Sequence, residues 1–305
     1  MGGERDKRPN GASCGRMGLV GIGLVGTAMA GNLLAGGYDL VGYDIVEDKC
    51  RRLESMGGTA ARSPAAAASG RRCVLLSLMS SDIVREALAG AGGVLSADPL
   101  PEAIIDTTTG DPDRTVEIAA ACAARGVAYL DATISGSSDA IARREGVFMV
   151  GGDRGVFDAC RDVFDCLAER SIHVGPSGSG ARAKLAVNLV MGLNRLALAE
   201  GLVFAERIGL DPAAFFEVAR QTFAYSRIMD VKGPKMLAGD FTAAGRLAQH
   251  RKDVDLICRL AAEAGQELPL SAVHRAVLDA AIAAGDGDLD NAAVIREIRR
   301  RGPGG

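Results

Sequence analysis

Tryptophan is absent, and aromatic residues make up only 4% of the chain. So few rings leave little material for the stacked platforms on which single-stranded nucleic acids bind. Positive charge is not in excess either. The net charge is −3 and the pI is near 5.7, the opposite of a nucleic-acid footprint. Only three histidines occur, His173, His250 and His274, with no HxH or HExxH pattern, so no catalytic metal is expected. The seven cysteines (Cys14, Cys50, Cys73, Cys122, Cys160, Cys166 and Cys258) are odd in number and form no CxxC pair. Most lie in apolar stretches, where a thiol acts as a small hydrophobe, so a reducing, cytoplasmic setting is expected rather than a disulfide framework. No uninterrupted apolar run reaches the roughly 18 residues of a membrane span, and no membrane association is expected. Residues 1–15 are polar and glycine-rich, without the apolar core of a secretory signal; they read as a disordered leader, and the terminal RGPGG as a frayed tail.

What the chain does have is length, apolar residues and glycine. Its 305 residues, 48% hydrophobic, suffice for two domains. Met17 to Ile22 is an apolar run that ends in Gly21-Ile22-Gly23-Leu24-Val25-Gly26 and passes into a helix-periodic segment. In such a GxGxxG turn the first glycine permits a tight bend. The second lets backbone approach a pyrophosphate, and the third lets helix and strand pack closely. Glycine is abundant here (40 residues), so the pattern alone also fits an ordinary strand-to-helix turn. A second strand, Tyr38 to Tyr43, is followed by Asp44, about 20 residues on, where an acid binds a ribose hydroxyl. Asp44 would repel a 2′-phosphate, which favours NAD; Lys49, Arg51 and Arg52 keep NADP open.

Further strands are expected at 73–78, 103–106, 126–130, 146–150 and 171–174, alternating with helices. That rhythm predicts an α/β fold, a Rossmann-type doubly wound, mostly parallel sheet. Thr107 to Thr109, Asp131 to Ser138 and Gly175 to Gly180 follow strands and would line the rim where such sheets bind ligands. The loop Asp131 to Ser138 is rich in small residues and hydroxyls, which suits a carboxylate and equally a plain turn. After a flexible entry at 175–180, a helix of about 27 residues starts near Ala183. Lys184 and Asn188 lie one turn apart on it. Lysine at such a position either snorkels to solvent or faces a cofactor, where the helix dipole and desolvation would lower its pKa for proton transfer. Everything after Pro212 reads as helical. The expected division is a leader at 1–15, a dinucleotide-binding domain at 16–180, and an all-helical C-terminal domain at 181–300 opened by the long helix.

Four segments in order resemble the β-hydroxyacid dehydrogenase family, which includes 3-hydroxyisobutyrate dehydrogenase and tartronate semialdehyde reductase. Residues 21–33 look like its G-x-G-x-M-G-x-x-M-A-x-N-L nucleotide segment, and Asp131-Ala-Thr-Ile-Ser-Gly136 is similar to its D-A-P-V-S-G substrate motif. Gly178 to Asn188 is similar to G-x-G-x-x-x-K-x-x-x-N, and Lys252-Asp253 matches its K-D. The resemblance implies an NAD(P)-dependent oxidoreductase that interconverts a small hydroxy-carboxylate and its aldehyde or ketone. Lys184 would be the general acid/base and Asn188 would hold substrate, with Ser135 and Gly136 binding its carboxylate. Gly21 to Gly26 and Asp44 would hold the cofactor, with Leu78 and Met79 beside its ribose and Thr109 and Lys252 near it. A homodimer or homotetramer built through the helical domain is also implied. An imine reductase and a non-catalytic NAD-binding sensor are the alternatives. The first typically replaces the lysine, and the second has no need of both Lys184 and Asn188. The chain departs from the family pattern at Met79, Thr133, Ser137-Ser138-Asp139 and Arg143-Arg144-Glu145. The more polar loop suggests a larger or more hydroxylated substrate. Arg227, Lys232 and Arg246 are candidate anion clamps beside a commoner surface role.

Overall fold

The computed structural model describes residues 15–302, so the leader before Gly15 and the last three residues of the tail lie outside the described residues. The chain divides after Lys184 into two compact units.

The first unit holds β1 (Arg16–Val20), β2 (Asp39–Tyr43), β3 (Thr59–Ala60), β4 (Cys73–Leu76), β5 (Ala103–Asp106), β6 (Ala128–Ser135), β7 (Val147–Gly151) and β8 (Arg170–Gly175). Between them run α1 (Leu24–Ala35), α2 (Glu47–Ser55), α3 (Pro64–Ala68), α4 (Ser81–Ala89), α5 (Pro112–Ala123), α6 (Ser138–Ala142), α7 (Arg154–Ala159) and α8 (Arg161–Leu167). The strands form one sheet in the order β3-β2-β1-β4-β5-β6-β7-β8. All pairs are parallel except β6 with β7. The order reverses between β1 and β4, the switch point beside which doubly wound sheets bind ligands.

Helices on both faces explain why the strands read as continuous apolar runs. Leu19, Leu75, Ile105 and Leu130 pack into one core, while Val20, Val74, Ile104 and Tyr129 pack into the other, as a period of two requires. Gly18 serves this arrangement, because a Cβ there would lie 2.5 Å from the Ala67 carbonyl oxygen of α3.

Three expectations need correction. Among the described residues there are eight strands, not seven: β3 has two residues, too few to show an alternation. Asp131 to Ser138 is not a loop. Asp131 to Ser135 extend β6 and pair antiparallel with Gly151 to Val147, and Ser138 begins α6. Its hydroxyls masked a strand that the β-branched Thr133 and Ile134 favour. The expected strand at 126–130 therefore ends five residues late. Finally, α9 (Ser179–Arg207) starts inside the presumed flexible entry and runs 29 residues, about 43 Å.

The second unit is helical: the remainder of α9, then α10 (Pro212–Arg220), α11 (Arg227–Ala238), α12 (Leu247–Glu263), α13 (Pro269–Ala283) and α14 (Val294–Arg300). Among the described residues α9 alone is long and apolar enough to cross a membrane, and 44% of that window is buried in the protein. Leu196, Leu198, Ala199, Leu202 and Val203 of α9 enter the core of the helical unit, which accounts for much of the composition. Asp290 caps the last helical segment, accepting from the Ala292 N–H at 3.0 Å.

Arg195 is the anomaly of this core. It is 1% exposed, and none of its three nitrogens has a hydrogen-bond acceptor. Burial pulls its pKa down to about 10, and the Asp290 carboxylate opposes this. An uncompensated buried cation costs stability that an apolar side chain of similar volume does not. Arg195→Met is therefore expected to leave stability unchanged or raise it by about 1 kcal/mol in urea melts. A loss of more than about 2 kcal/mol would mean that the guanidinium has acceptors after all.

Candidate active site

The sequence-predicted residues of the first unit converge on one edge of the sheet, where β1, β2, β4 and β5 end. Gly21 adopts φ +95°, and a Cβ there would overlap the Ser77 carbonyl; a Cβ on Gly26 would overlap that of Gly21. Both positions therefore require glycine. Gly23 is different, since a Cβ there would meet nothing within 4 Å. Its backbone caps α1 with no side-chain cap and no acid in the first turn. The start of α1 thus has no side-chain cap for its first-turn N–H groups, which fits a pyrophosphate at the positive end of the helix dipole.

Asp44 follows β2 and is turned toward this loop. Its Oδ2 accepts from the Ile22 N–H at 2.7 Å and its Oδ1 from the Val46 N–H at 2.9 Å. The Lys49 ammonium lies 3.2 Å away. The acid thus ties the end of β2 to the glycine turn, in addition to its expected place at the ribose. After β4, Leu78 is half-buried and donates its N–H to Thr108 Oγ1 at 3.2 Å, while Met79 is exposed. Thr107 to Thr109 cross the same rim, with Thr109 half-buried.

Beneath them lies a buried pair that the sequence did not announce. Asp106 accepts from the Tyr129 hydroxyl at 2.5 Å and from the Thr108 N–H at 2.9 Å. Burial pushes its carboxyl up to about 6 despite those donors.

Strand β6 carries the other part of the site. Ser135 at its end is half-buried, and Gly136 beyond it is exposed with φ +152°. The unusual residues nearby are largely self-satisfied. Ser137 Oγ caps α6 by accepting from the Ala140 N–H, and Arg143 forms a bidentate pair with Glu145 at 2.9 and 3.0 Å. Their charges therefore give less reason to expect a larger or more hydroxylated substrate.

Asp131, at the start of the substrate motif, is 2% exposed. Its oxygens accept from the N–H groups of Gly178 and Ala181 at 2.9 and 3.0 Å, at the start of α9. Burial raises its pKa while these donors hold it down. Lys184, on α9, is 9% exposed.

In the helical unit Asn188, 3% exposed, donates from Nδ2 to Asp253 Oδ2 at 2.9 Å. Lys252, half-buried on α12, precedes that acid directly. The structure thus joins the asparagine of one motif to the Lys-Asp pair of another, 65 positions along the chain. Lys232 is not an anion clamp. It is buried against Asp290 at 2.7 Å, and Arg246 pairs with Asp288 at 3.6 Å. His173 has a structural role, its Nε2 lying 2.9 Å from the Gly152 carbonyl. No group of three potential metal ligands occurs among the described residues.

A doubly wound sheet with a glycine turn after β1 and an acid after β2 has the form of a dinucleotide-binding domain. Comparison with known proteins agrees. Residues 16–175 match the NAD-binding domain of 6-phosphogluconate dehydrogenase, and residues 178–298 match the NAD-binding domain of NADP-dependent 3-hydroxyisobutyrate dehydrogenase. The chain is 30% identical to 2-(hydroxymethyl)glutarate dehydrogenase of Eubacterium barkeri, over 79% of its own length and 81% of that protein. It is also 30% identical to 2-hydroxy-3-oxopropionate reductase of Escherichia coli K12, over 81% and 84%. The structure of Mycobacterium tuberculosis 3-hydroxyisobutyrate dehydrogenase with L-serine superposes with a TM-score of 0.84 at 27% identity, covering 93% of this chain and 99% of that one. The chain belongs to the β-hydroxyacid dehydrogenase family of NAD(P)-dependent enzymes acting on CH–OH groups.

Asp106 yields a pH prediction. Its folded pKa lies above the unfolded value of 3.8, so its contribution to stability is full below that value and is lost as pH rises through about 6. The loss amounts to about 3 kcal/mol at most. Asp106→Asn should flatten the stability profile between pH 4 and 6 in urea titrations, roughly the span between the two pKa values. An unchanged profile would exclude Asp106 as the titrating group.

Proposed function

We propose that this enzyme oxidises the primary alcohol of a small 3-hydroxycarboxylate to the aldehyde with NAD, and reduces the aldehyde in the reverse direction. The observation that carries the reading is Lys184, buried in the early turns of α9 and one turn from Asn188. Names of the relatives support the substrate class. 2-(Hydroxymethyl)glutarate, 3-hydroxyisobutyrate and L-serine share a CH2OH group one carbon from a carboxylate, and 2-hydroxy-3-oxopropionate is an aldehyde of that unit. They differ only in the substituent on the middle carbon.

In this reading Ser135 and the backbone at Gly136 bind the substrate carboxylate, and Asn188 holds the hydroxyl. Lys184 takes the hydroxyl proton as the C–H bond gives up its hydride, and returns it to the carbonyl oxygen in reduction. The nicotinamide supplies the hydride acceptor. Gly21, Ile22, Gly23, Leu24, Val25 and Gly26 cradle its pyrophosphate, with Leu78, Met79, Thr109 and Lys252 along the remainder. Asp44 favours NAD, because a 2′-phosphate beside its carboxylate would be repelled. Self-association through the helical unit is part of the proposal. Exposed Val190, Phe204, Ile208, Val218 and Phe223 support it, as apolar surface of the kind that interfaces cover.

NADH formation should be followed with 3-hydroxyisobutyrate, glycerate, 2-(hydroxymethyl)glutarate and L-serine. Turnover of at least one is expected. Lys184→Ala should lower kcat by about 10²–10⁴-fold and leave NAD affinity nearly unchanged. A wild-type rate in that variant would remove Lys184 from the chemistry.

A further inference from the structure

Asp131, Thr133 and Ser135 alternate along β6, so their side chains leave one side of the strand. Ser135 is half-buried, whereas Thr133 is fully buried and Asp131 nearly so. The two buried side chains reach the first turn of α9. Asp131 accepts from Gly178 and Ala181, and Thr133 Oγ1 donates to the Gly180 carbonyl at 2.8 Å. One carboxylate and one hydroxyl thus grip the helix start at Gly178, Gly180 and Ala181, taking both N–H and C=O groups.

Two glycines let the elements come this close. A Cβ on Gly151 would lie 2.5 Å from Asp131 Oδ1, and one on Gly180 would overlap the Asp131 carbonyl and lie 2.6 Å from that of Met149. Thr133 stands at the position where the family motif carries proline, a residue with no hydroxyl to donate.

We propose that Asp131 and Thr133 are positioning residues that fix Lys184 relative to the end of β6 at Ser135 and Gly136. The proposal rests on Lys184 as the proton-transfer group. Ser135 lies two residues beyond Thr133 on the same strand, and Lys184 lies three residues beyond Ala181 on the same helix. The clamp is therefore a direct structural link between the end of β6 and the turn that precedes the lysine. Two rigid elements joined at three points leave little freedom for the lysine to drift, and proton transfer depends steeply on such distances. A buried carboxylate facing the helix N-terminus is also attracted to the positive end of the helix dipole, so the clamp is electrostatic as well as geometric.

Asp131→Asn keeps one acceptor and replaces the other with a donor facing an N–H group. Thr133→Val keeps shape and removes the hydroxyl, and Thr133→Ser restores it. With NAD and 3-hydroxyisobutyrate, glycerate or L-serine, kcat should fall by about 10²-fold in Asp131→Asn and by about 5-fold in Thr133→Val. Thr133→Ser should recover the loss, and NAD affinity should stay within about twofold throughout, because the glycine turn does not touch the clamp. Amide hydrogen exchange at Gly178 and Ala181, read without substrate, should speed up by about tenfold in Asp131→Asn while Met29 to Leu33 within α1 stay protected. That arm stands whether or not Lys184 is the proton-transfer group. Unchanged exchange would remove the clamp itself. Faster exchange with unaltered kcat would remove its role in positioning Lys184, and a parallel fall of kcat and NAD affinity would reduce it to general stability.

Discussion

The buried carboxylate of Asp131 is the interaction on which the candidate site depends. A charge at 2% exposure is costly unless it is fully hydrogen-bonded. Here the first turn of α9 supplies the donors, through the N–H groups of Gly178 and Ala181. A helix start has N–H groups with no partner inside the helix, and a buried acid needs such groups. Each removes the other's cost. The pairing ties β6 to the start of α9 and accounts for glycine at positions 151 and 180.

The sheet places the remaining parts by a simpler rule. Parallel strands covered on both faces offer their carboxyl ends as the open rim, and the side chains after β1, β2, β4 and β5 collect there. Asp44 has a double role on that rim. It is the expected ribose contact, and it also holds the Ile22 amide, tying the end of β2 to the glycine turn.

The helical unit treats polarity differently. Its core holds the Lys232–Asp290 pair, the Asn188–Asp253 hydrogen bond and the unaccompanied Arg195. Asp290 also accepts from backbone at Ala244, Gly245 and Ala292, so it organises a chain reversal as well as neutralising Lys232. Buried polar groups arranged in this way favour one packing of the helices over the alternatives an apolar core would allow.

By itself the sequence determined whatever is local or periodic. Strand alternation predicted the parallel sheet, the glycine spacing and Asp44 marked the turn after β1, and the four-residue interval put Lys184 and Asn188 on one helical face. Ordered motifs identified the family. Tertiary structure decided what depends on partners far along the chain. It turned the hydroxyl-rich run from Asp131 to Ser135 into a strand, because β7 supplies its hydrogen bonds. Lys232 became an internal ion pair, because Asp290 lies 58 positions away in sequence and 2.7 Å away in space. Thr133, conspicuous in the sequence as a departure from the family motif, acquired a bond to Gly180, 47 residues on. The physical reason is common to all three. Hydrogen-bond partners and burial are properties of the assembled chain, and no spacing rule within a single element contains them.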